Sequence, residues 1–388
     1  MERYNPFEIR NFILPEILFG SGAMEMVDKC VKEHGAAKIL VVTDPGVLKA
    51  GWAEVADRLV KNTGIKFVLY SGVTSNPKNT EVAEGALLFG KEKCSLILAV
   101  GGGSVIDCAK GIAASYSGSV KINEFEGDDL VPLQPPPVIC IPTTAGTSSD
   151  LSQYAMITRT DQDRKFALKS RKIMPRITLI DSITTTTLPP ELTAYSGMAA
   201  LANAFEAYTS AMSSPLTDMY ALKAVNLLFH NLVPAIEHHY DLRYRDRMMY
   251  ASLLAGMAYS ATGPGLYHAA ANSLSGITGL NHGECCAVLL EYISRADFYS
   301  SSERYSDLAR ATGVDTEGMG HDRIRDALVN EIDSLRLRSG ISFSLRERGV
   351  TADKSGELAA QATGSLLLKN CGREVPAAAV EKIFTKAI

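Results

Sequence analysis

Several features that would mark other kinds of protein are missing from this chain. No run approaches the roughly 18 uninterrupted apolar residues of a bilayer-crossing helix, so an integral helical membrane protein is excluded. The opening residues Met1-Glu2-Arg3-Tyr4-Asn5 hold no apolar signal core, and no secretory leader is expected. Positive charge is not in excess: 39 Lys and Arg stand against 43 Asp and Glu, a formal charge of −4. That balance leaves no basic footprint for nucleic acid or an anionic membrane, and neither partner is expected. The seven cysteines are odd in number and contain no Cys-x-x-Cys spacing. They fit a reducing cytoplasm better than a disulfide framework, and Cys285-Cys286 reads as two buried thiols. Internal repeats and low-complexity tracts are absent as well.

What is present is a globular composition, 46% apolar and 21% charged over 388 residues, long enough for two domains with separate cores. The first half alternates β-rich runs with helical stretches. Residues 11–19 read as a strand or hairpin, 23–33 as a helix, 38–43 as a strand, 47–62 as a helix and 67–71 as a strand. A helix over 80–93, a strand over 96–100 and a strand over 137–141 continue the series, followed by shorter strands at 154–158, 165–168 and 177–180. Strands separated by helix-length crossovers imply a doubly wound, Rossmann-like parallel sheet. After Pro189-Pro190 the β-branched runs thin out, and Ala/Leu/Met-rich segments at 191–212, 217–236, 245–261 and 303–312 read as helices, interrupted at Gly263-Pro264-Gly265. The expected domains are therefore 1–188, α/β, and 189–388, all-helical. The cleft of such a pair is the expected place for an active site. The polar run 241–247 reads as a solvated face.

The chemistry-bearing stretch is Gly101-Gly102-Gly103-Ser104-Val105-Ile106-Asp107, between the strand 96–100 and a small-residue helix. Three glycines there allow a sharp turn and leave no Cβ between backbone N–H groups and a phosphate. The same residues also permit a plain βα turn in which Ser104 caps the helix and Asp107 completes a capping box. Ile106 occupies the third glycine position of the usual dinucleotide fingerprint, and no Gly-Lys-Ser/Thr follows for a P-loop. Two further features favour a dinucleotide. Asp44 ends the strand 38–43, where a carboxylate accepts both ribose hydroxyls and repels a 2′-phosphate, although it also suits the Asp44-Pro45-Gly46 turn. The segment Pro142-Thr143-Thr144-Ala145-Gly146-Thr147-Ser148-Ser149 sets uncharged hydroxyl donors after the strand 137–141.

Through Asn76-Pro77, 101–107, 142–149, Asp181, Leu188-Pro189, Gly197-Met198, Glu206-Ala207-Tyr208 and His282-Gly283, the chain resembles the iron-containing alcohol dehydrogenases nearly from end to end. The family is similar to glycerol dehydrogenases and, more remotely, to dehydroquinate synthases. The resemblance implies an α/β domain that binds NAD, a helical domain that carries iron or zinc beside the nicotinamide, and a homodimer. It assigns Asp44 and Asn76 to the adenosine end and Gly102, Gly103 and Ser104 to the diphosphate. Thr143, Thr144, Thr147, Ser152 and Lys165 are assigned to the remainder, with Asp107 close to the nicotinamide.

The family's metal pattern is only half kept. An Asp and a His four residues apart on the first long helix of the second domain are replaced by Ala199 and Asn203, whereas His268 and His282, fourteen residues apart, remain. A further His, credited with proton relay, is replaced by Asn272. Two imidazoles without a carboxylate are expected to hold a first-row divalent ion poorly, so His268 and His282 form a weak metal site at most. His268, Asn272 and His282 are then the catalytic candidates, with a protonated imidazole in place of the ion as the polarising group. Glu206, on the same helix, reads as structural. The expected function is NAD-dependent interconversion of a small alcohol and its aldehyde or ketone. The alternatives are a catalytically reduced nucleotide-binding homologue with a regulatory or assembly role, and a dehydroquinate synthase-like lyase.

Overall fold

The computed structural model describes residues 10–118, 120–162 and 164–388. Its described residues form two compact units, one of Leu14–Thr144 and Ser149–Leu188, the other of residues 10–13, Ala145–Ser148 and Pro189–Ile388. The second unit thus takes four residues out of the middle of the α/β segment.

In the α/β unit the strands are β1 (Glu16–Phe19), β2 (Lys38–Val42), β3 (Lys66–Tyr70), β4 (Leu96–Gly101), β5 (Gly127–Asp128), β6 (Val138–Pro142), β7 (Tyr154–Arg159), β8 (Arg164–Lys169) and β9 (Ile177–Ile180). The helices are α1 (Val27–Glu33), α2 (Pro45–Lys49), α3 (Trp52–Lys61), α4 (Asn79–Lys91) and α5 (Gly103–Gly118). Six strands form one parallel sheet in the order β1-β9-β6-β4-β2-β3. Alternate residues feed opposite faces, as the pleat requires. Leu40, Val42, Ile97 and Ala99 enter one core with α5, while Ile39, Val41, Leu96, Leu98 and Val100 enter the other with α1 and α3. Burial on both faces explains why these strands read as unbroken apolar runs. The chain leaves β2 toward β3 on one side and β4 toward β6 on the other, so the strand order reverses between β2 and β4. Ligands of open α/β sheets bind outside the carboxyl ends of the strands at that point.

Two expectations are corrected here. The run 47–62 is not one helix but α2 and α3, separated at Gly51, whose φ of +85° ends the first and starts the second. The strand or hairpin expected over 11–19 is reduced to β1, Glu16–Phe19; the strands expected at 154–158 and 165–168 are present as β7 and β8, which pair antiparallel, with β5 beside β8, in a separate three-stranded sheet.

The helical unit comprises α6 (Pro190–Thr209), α7 (Pro215–Glu237), α8 (Leu242–Thr262), α9 (Leu266–Thr278), α10 (His282–Asp297), α11 (Ser302–Thr312), α12 (His321–Arg338), α13 (Ser355–Thr363) and α14 (Ala377–Ala387). Gly263-Pro264-Gly265 separates α8 from α9, as a residue pair without regular helical φ and a missing N–H dictate. Every residue of α6 from Thr193 to Tyr208 is buried. A helix apolar all round belongs in the middle of a bundle. Arg245 departs from the solvated face expected of 241–247: it is 2% exposed, with Nε donating to the His239 carbonyl (2.8 Å) and Nη1 to Thr193 Oγ1 (2.9 Å). Burial pushes its guanidinium down to about 10.

Candidate active site

The glycine turn lies at the end of β4, beside the reversal of strand order. Its glycines answer to contact. A Cβ on Gly101 would overlap the Val105 side chain, and one on Gly102 would stand 3.0 Å from Thr144 Cγ2. The turn after β6 therefore comes close to the glycine turn, which leads directly into α5 at Gly103. The capping-box alternative is not realised. Ser104 Oγ donates to the Ser75 carbonyl, and Asp107 Oδ2 accepts from the Met156 N–H at 3.0 Å.

Within this unit the carboxyl ends of parallel strands collect most of the sequence-predicted cofactor residues. Asp44 follows β2, Asn76 lies in the segment after β3 that Ser104 grips through Ser75, Gly102, Gly103 and Ser104 follow β4, and Thr143 and Thr144 follow β6. Asp44 is also the N-cap of α2, its Oδ1 accepting from Val47 N–H at 2.9 Å. One oxygen serves the turn, so the two sequence readings of this residue are compatible. Ser152 is buried ahead of β7, and Lys165 lies on β8. Thr147 belongs to the four residues that pack with the helical unit.

Sequence reasoning missed the residue that organises the second loop. Lys110, fully buried on α5, donates through Nζ to the carbonyls of Ser149, Ser152 (2.8 Å) and Tyr154 (2.8 Å). Asp107 lies one turn before it, and the buried Asp150 is a further negative neighbour. Desolvation lowers the Lys110 ammonium and raises Asp107, while burial pushes Asp150 up to about 6. The available signal was the pair Asp107-x-x-Lys110 in an otherwise small and apolar helix, because charges so placed must find partners.

The helical unit brings together the residues that the family pattern singles out. Ala199, Asn203 and Glu206 occupy one face of α6, at spacings of four and three residues. Glu206 is more than a packing residue. Its Oε2 contacts His268 Nδ1, and its Oε1 accepts from Tyr267 N–H at 2.7 Å in the first turn of α9, where a carboxylate is favoured by the helix dipole. A carboxylate accepts only, so His268 carries its proton on Nδ1. The His268 and His282 rings are adjacent, with centroids 5.4 Å apart, and His282 Nε2 lies 3.4 Å from Cys286 Sγ. Asn272, on α9, is buried. Cys285 and Cys286 are both buried, and none of the seven cysteines is in a disulfide.

The donor set does not match a first-row metal. Ala199 has no donor atom, and the Asn203 amide nitrogen is committed to the Gly146 carbonyl and Ser148 Oγ, each at 2.9 Å. Among the described residues no group of three or more His, Cys, Asp and Glu is placed to hold a metal ion.

An α/β unit with a glycine turn at its reversal point and a helical unit with paired histidines are the two parts that the sequence resemblance leads one to expect. Comparison with known proteins makes the assignment specific. The pattern of the iron-containing alcohol dehydrogenases matches residues 15–182, and that of the Fe-containing alcohol dehydrogenase family, C-terminal, matches residues 193–388. The chain belongs to this family. It is 34% identical over 347 residues to a 1,3-propanediol dehydrogenase of Citrobacter freundii, covering 89% of this chain and 90% of that one. It is 29% identical over 377 residues to an NAD-dependent methanol dehydrogenase of Bacillus methanolicus, covering 97% and 99%. The crystal structure of a 1,3-propanediol oxidoreductase superposes with a TM-score of 0.94 at 31% identity, covering 98% of this chain and 100% of that one. The family and its relatives are alcohol and aldehyde oxidoreductases, and no described helix is long and apolar enough to cross a membrane.

Proposed function

We propose that this protein interconverts a small alcohol and its aldehyde or ketone with NAD, and does so without a resident divalent metal. The cofactor reading rests on the glycine turn at the strand-order reversal, with Asp44 one strand away to receive the ribose hydroxyls. The metal reading rests on Ala199 and Asn203. Two neutral imidazoles supply neither the donor number nor the negative charge that a divalent ion needs.

In the oxidative direction, bound NAD would supply the hydride acceptor for the alcohol carbon, and the hydroxyl proton would pass to a protein group or water. His268 is the best-oriented candidate. With Nδ1 held by Glu206, its Nε2 is the nitrogen left to hydrogen-bond the substrate oxygen. His282 beside it and Asn272 on the same helix complete the polar set.

The test is a panel of short alcohols with NAD and of aldehydes with NADH, followed by reduced-nicotinamide absorbance, with metal analysis of the same preparation. Turnover by protein with far less than one equivalent of iron or zinc, unchanged by chelator, is the expected result. Restoring the family's donors with Ala199→Asp and Asn203→His should raise metal affinity by orders of magnitude. A stoichiometric, chelator-resistant metal in the unaltered protein would refute the metal reading. NADH binding without turnover of any pair would instead leave a nucleotide-binding homologue.

A further inference from the structure

Asn203 stands where the family places a metal-binding histidine, yet its side chain is engaged elsewhere. It is 1% exposed, and its amide nitrogen donates to the Gly146 carbonyl and to Ser148 Oγ, both at 2.9 Å. A carbonyl oxygen accepts only, so the orientation of the amide is fixed by chemistry: the nitrogen must face Gly146. One NH₂ group has two hydrogens and meets two acceptors. An imidazole edge offers a single N–H and could serve only one of them.

The tied segment is not ordinary loop. Gly146 lies so close to α6 that a Cβ there would overlap the Ser196 carbonyl, and Ser196 is seven residues from Asn203, on the same helix face. Ser148 has a φ of +58°, a left-handed conformation that side-chain-bearing residues rarely adopt, and it is 2% exposed. A hydrogen bond to its hydroxyl helps hold it there. Between these two buried residues sits Thr147, which remains partly exposed.

We propose that Asn203 is a positioning residue for the nucleotide: by tying Gly146 and Ser148 to α6 it presets Thr147, between them, for the cofactor. A position that serves a metal in the family here serves the cofactor loop. The inference rests on the NAD reading above, and the experiment separates the two.

NADH affinity is measured by fluorescence titration for the wild type, Asn203→Leu, Asn203→Asp, Ser148→Ala and the double variant Asn203→Leu/Ser148→Ala, with a thermal melt of each. The wild type is read first, and failure to bind NADH there would overturn the cofactor reading and this inference with it. Asn203→Leu should weaken NADH about tenfold, equivalent to about 1.4 kcal/mol. Asn203→Asp keeps the shape but turns an oxygen toward the Gly146 carbonyl, and should be at least as weak. Ser148→Ala removes one acceptor with little disturbance to packing and covers the case in which the Asn203 variants do not fold. It should weaken NADH by a smaller factor, and the double variant should be no weaker than Asn203→Leu, because both act through one tie. The loss should appear in the KM for NADH, with kcat kept within twofold. Wild-type NADH affinity in Asn203→Leu or, if that does not fold, in Ser148→Ala would overturn the proposal, as would fully additive losses in the double variant.

Discussion

Replacing Lys110 by Met is the most direct probe of how the α/β unit holds its site. The side chain is 0% exposed and its ammonium donates to three carbonyls, those of Ser149, Ser152 and Tyr154. Methionine fills the stem but donates nothing. Each carbonyl left without a partner costs about 1–3 kcal/mol, and the loss of a positive neighbour to Asp107 and Asp150 adds to that sum. Against it stands the desolvation that the ammonium no longer suffers. The net should be a destabilisation of about 3–5 kcal/mol, the range for removing one partner of a buried charged set. For a unit of this size that corresponds to a melting temperature lower by roughly 10 °C. Urea unfolding followed by circular dichroism, with the slope checked against the wild type, gives the free-energy difference. Because the carbonyls belong to the loop that carries Ser152, NADH affinity should fall in the same variant even where it remains folded. A Lys110→Met protein within about 1 kcal/mol of the wild type, with unchanged NADH affinity, would refute the view that this ammonium anchors the loop.

Two further substitutions test the cofactor residues. Gly102→Val should abolish NADH binding in fluorescence titration while leaving the circular dichroism spectrum intact, since even a Cβ there stands 3.0 Å from Thr144; normal binding would reduce the glycines to a plain turn. Asp44→Gly should narrow the preference for NAD over NADP by removing a carboxylate that repels the 2′-phosphate, and should cost a few tenths of a kcal/mol of helix-cap stability; equal affinity of the unaltered protein for both cofactors would count against the assignment.

The parallel sheet was legible because its strands are buried on both faces and announce themselves as short apolar runs between helix-length segments. Residues 38–43, 96–100 and 177–180 coincide with β2, β4 and β9 to within one residue at each end. The small antiparallel sheet was not legible as a separate layer. A run such as 165–168 carries its strand propensity locally, but which partner it takes is decided by tertiary packing. The same limit applies to the site. That Asp44 and Gly102 lie at strand ends was legible because a residue's place in a βα unit is local. Lys110, Glu206 and Ser148 act on partners 39 or more positions away, or through a backbone angle. For Lys110 the neighbouring Asp107 and the apolar helix signal a buried charge but not which carbonyls it meets, and for Glu206 and Ser148 the immediate sequence names no partner.

A bound ion in this family would link the helices that supply its ligands, which here would be α6, α9 and α10. On the metal-free reading that cross-link must come from elsewhere, and direct contacts supply it. Glu206 joins α6 to α9 through both oxygens, one to Tyr267 N–H and the other to His268. Gly283 brings α10 so close to α6 that a Cβ there would crowd the Tyr195 carbonyl, and a glycine is tolerated at that cost because it opens α10 beside His282. Asn203 joins α6 to the segment 145–148. Hydrogen bonds to a charged group are worth about 1.5–3 kcal/mol each, and neutral ones about 1. A handful of them can keep two imidazoles adjacent with no ion present. The face of α6 from Ser196 through Asn203 to Glu206 is then held by hydrogen bonds and close packing rather than by an ion.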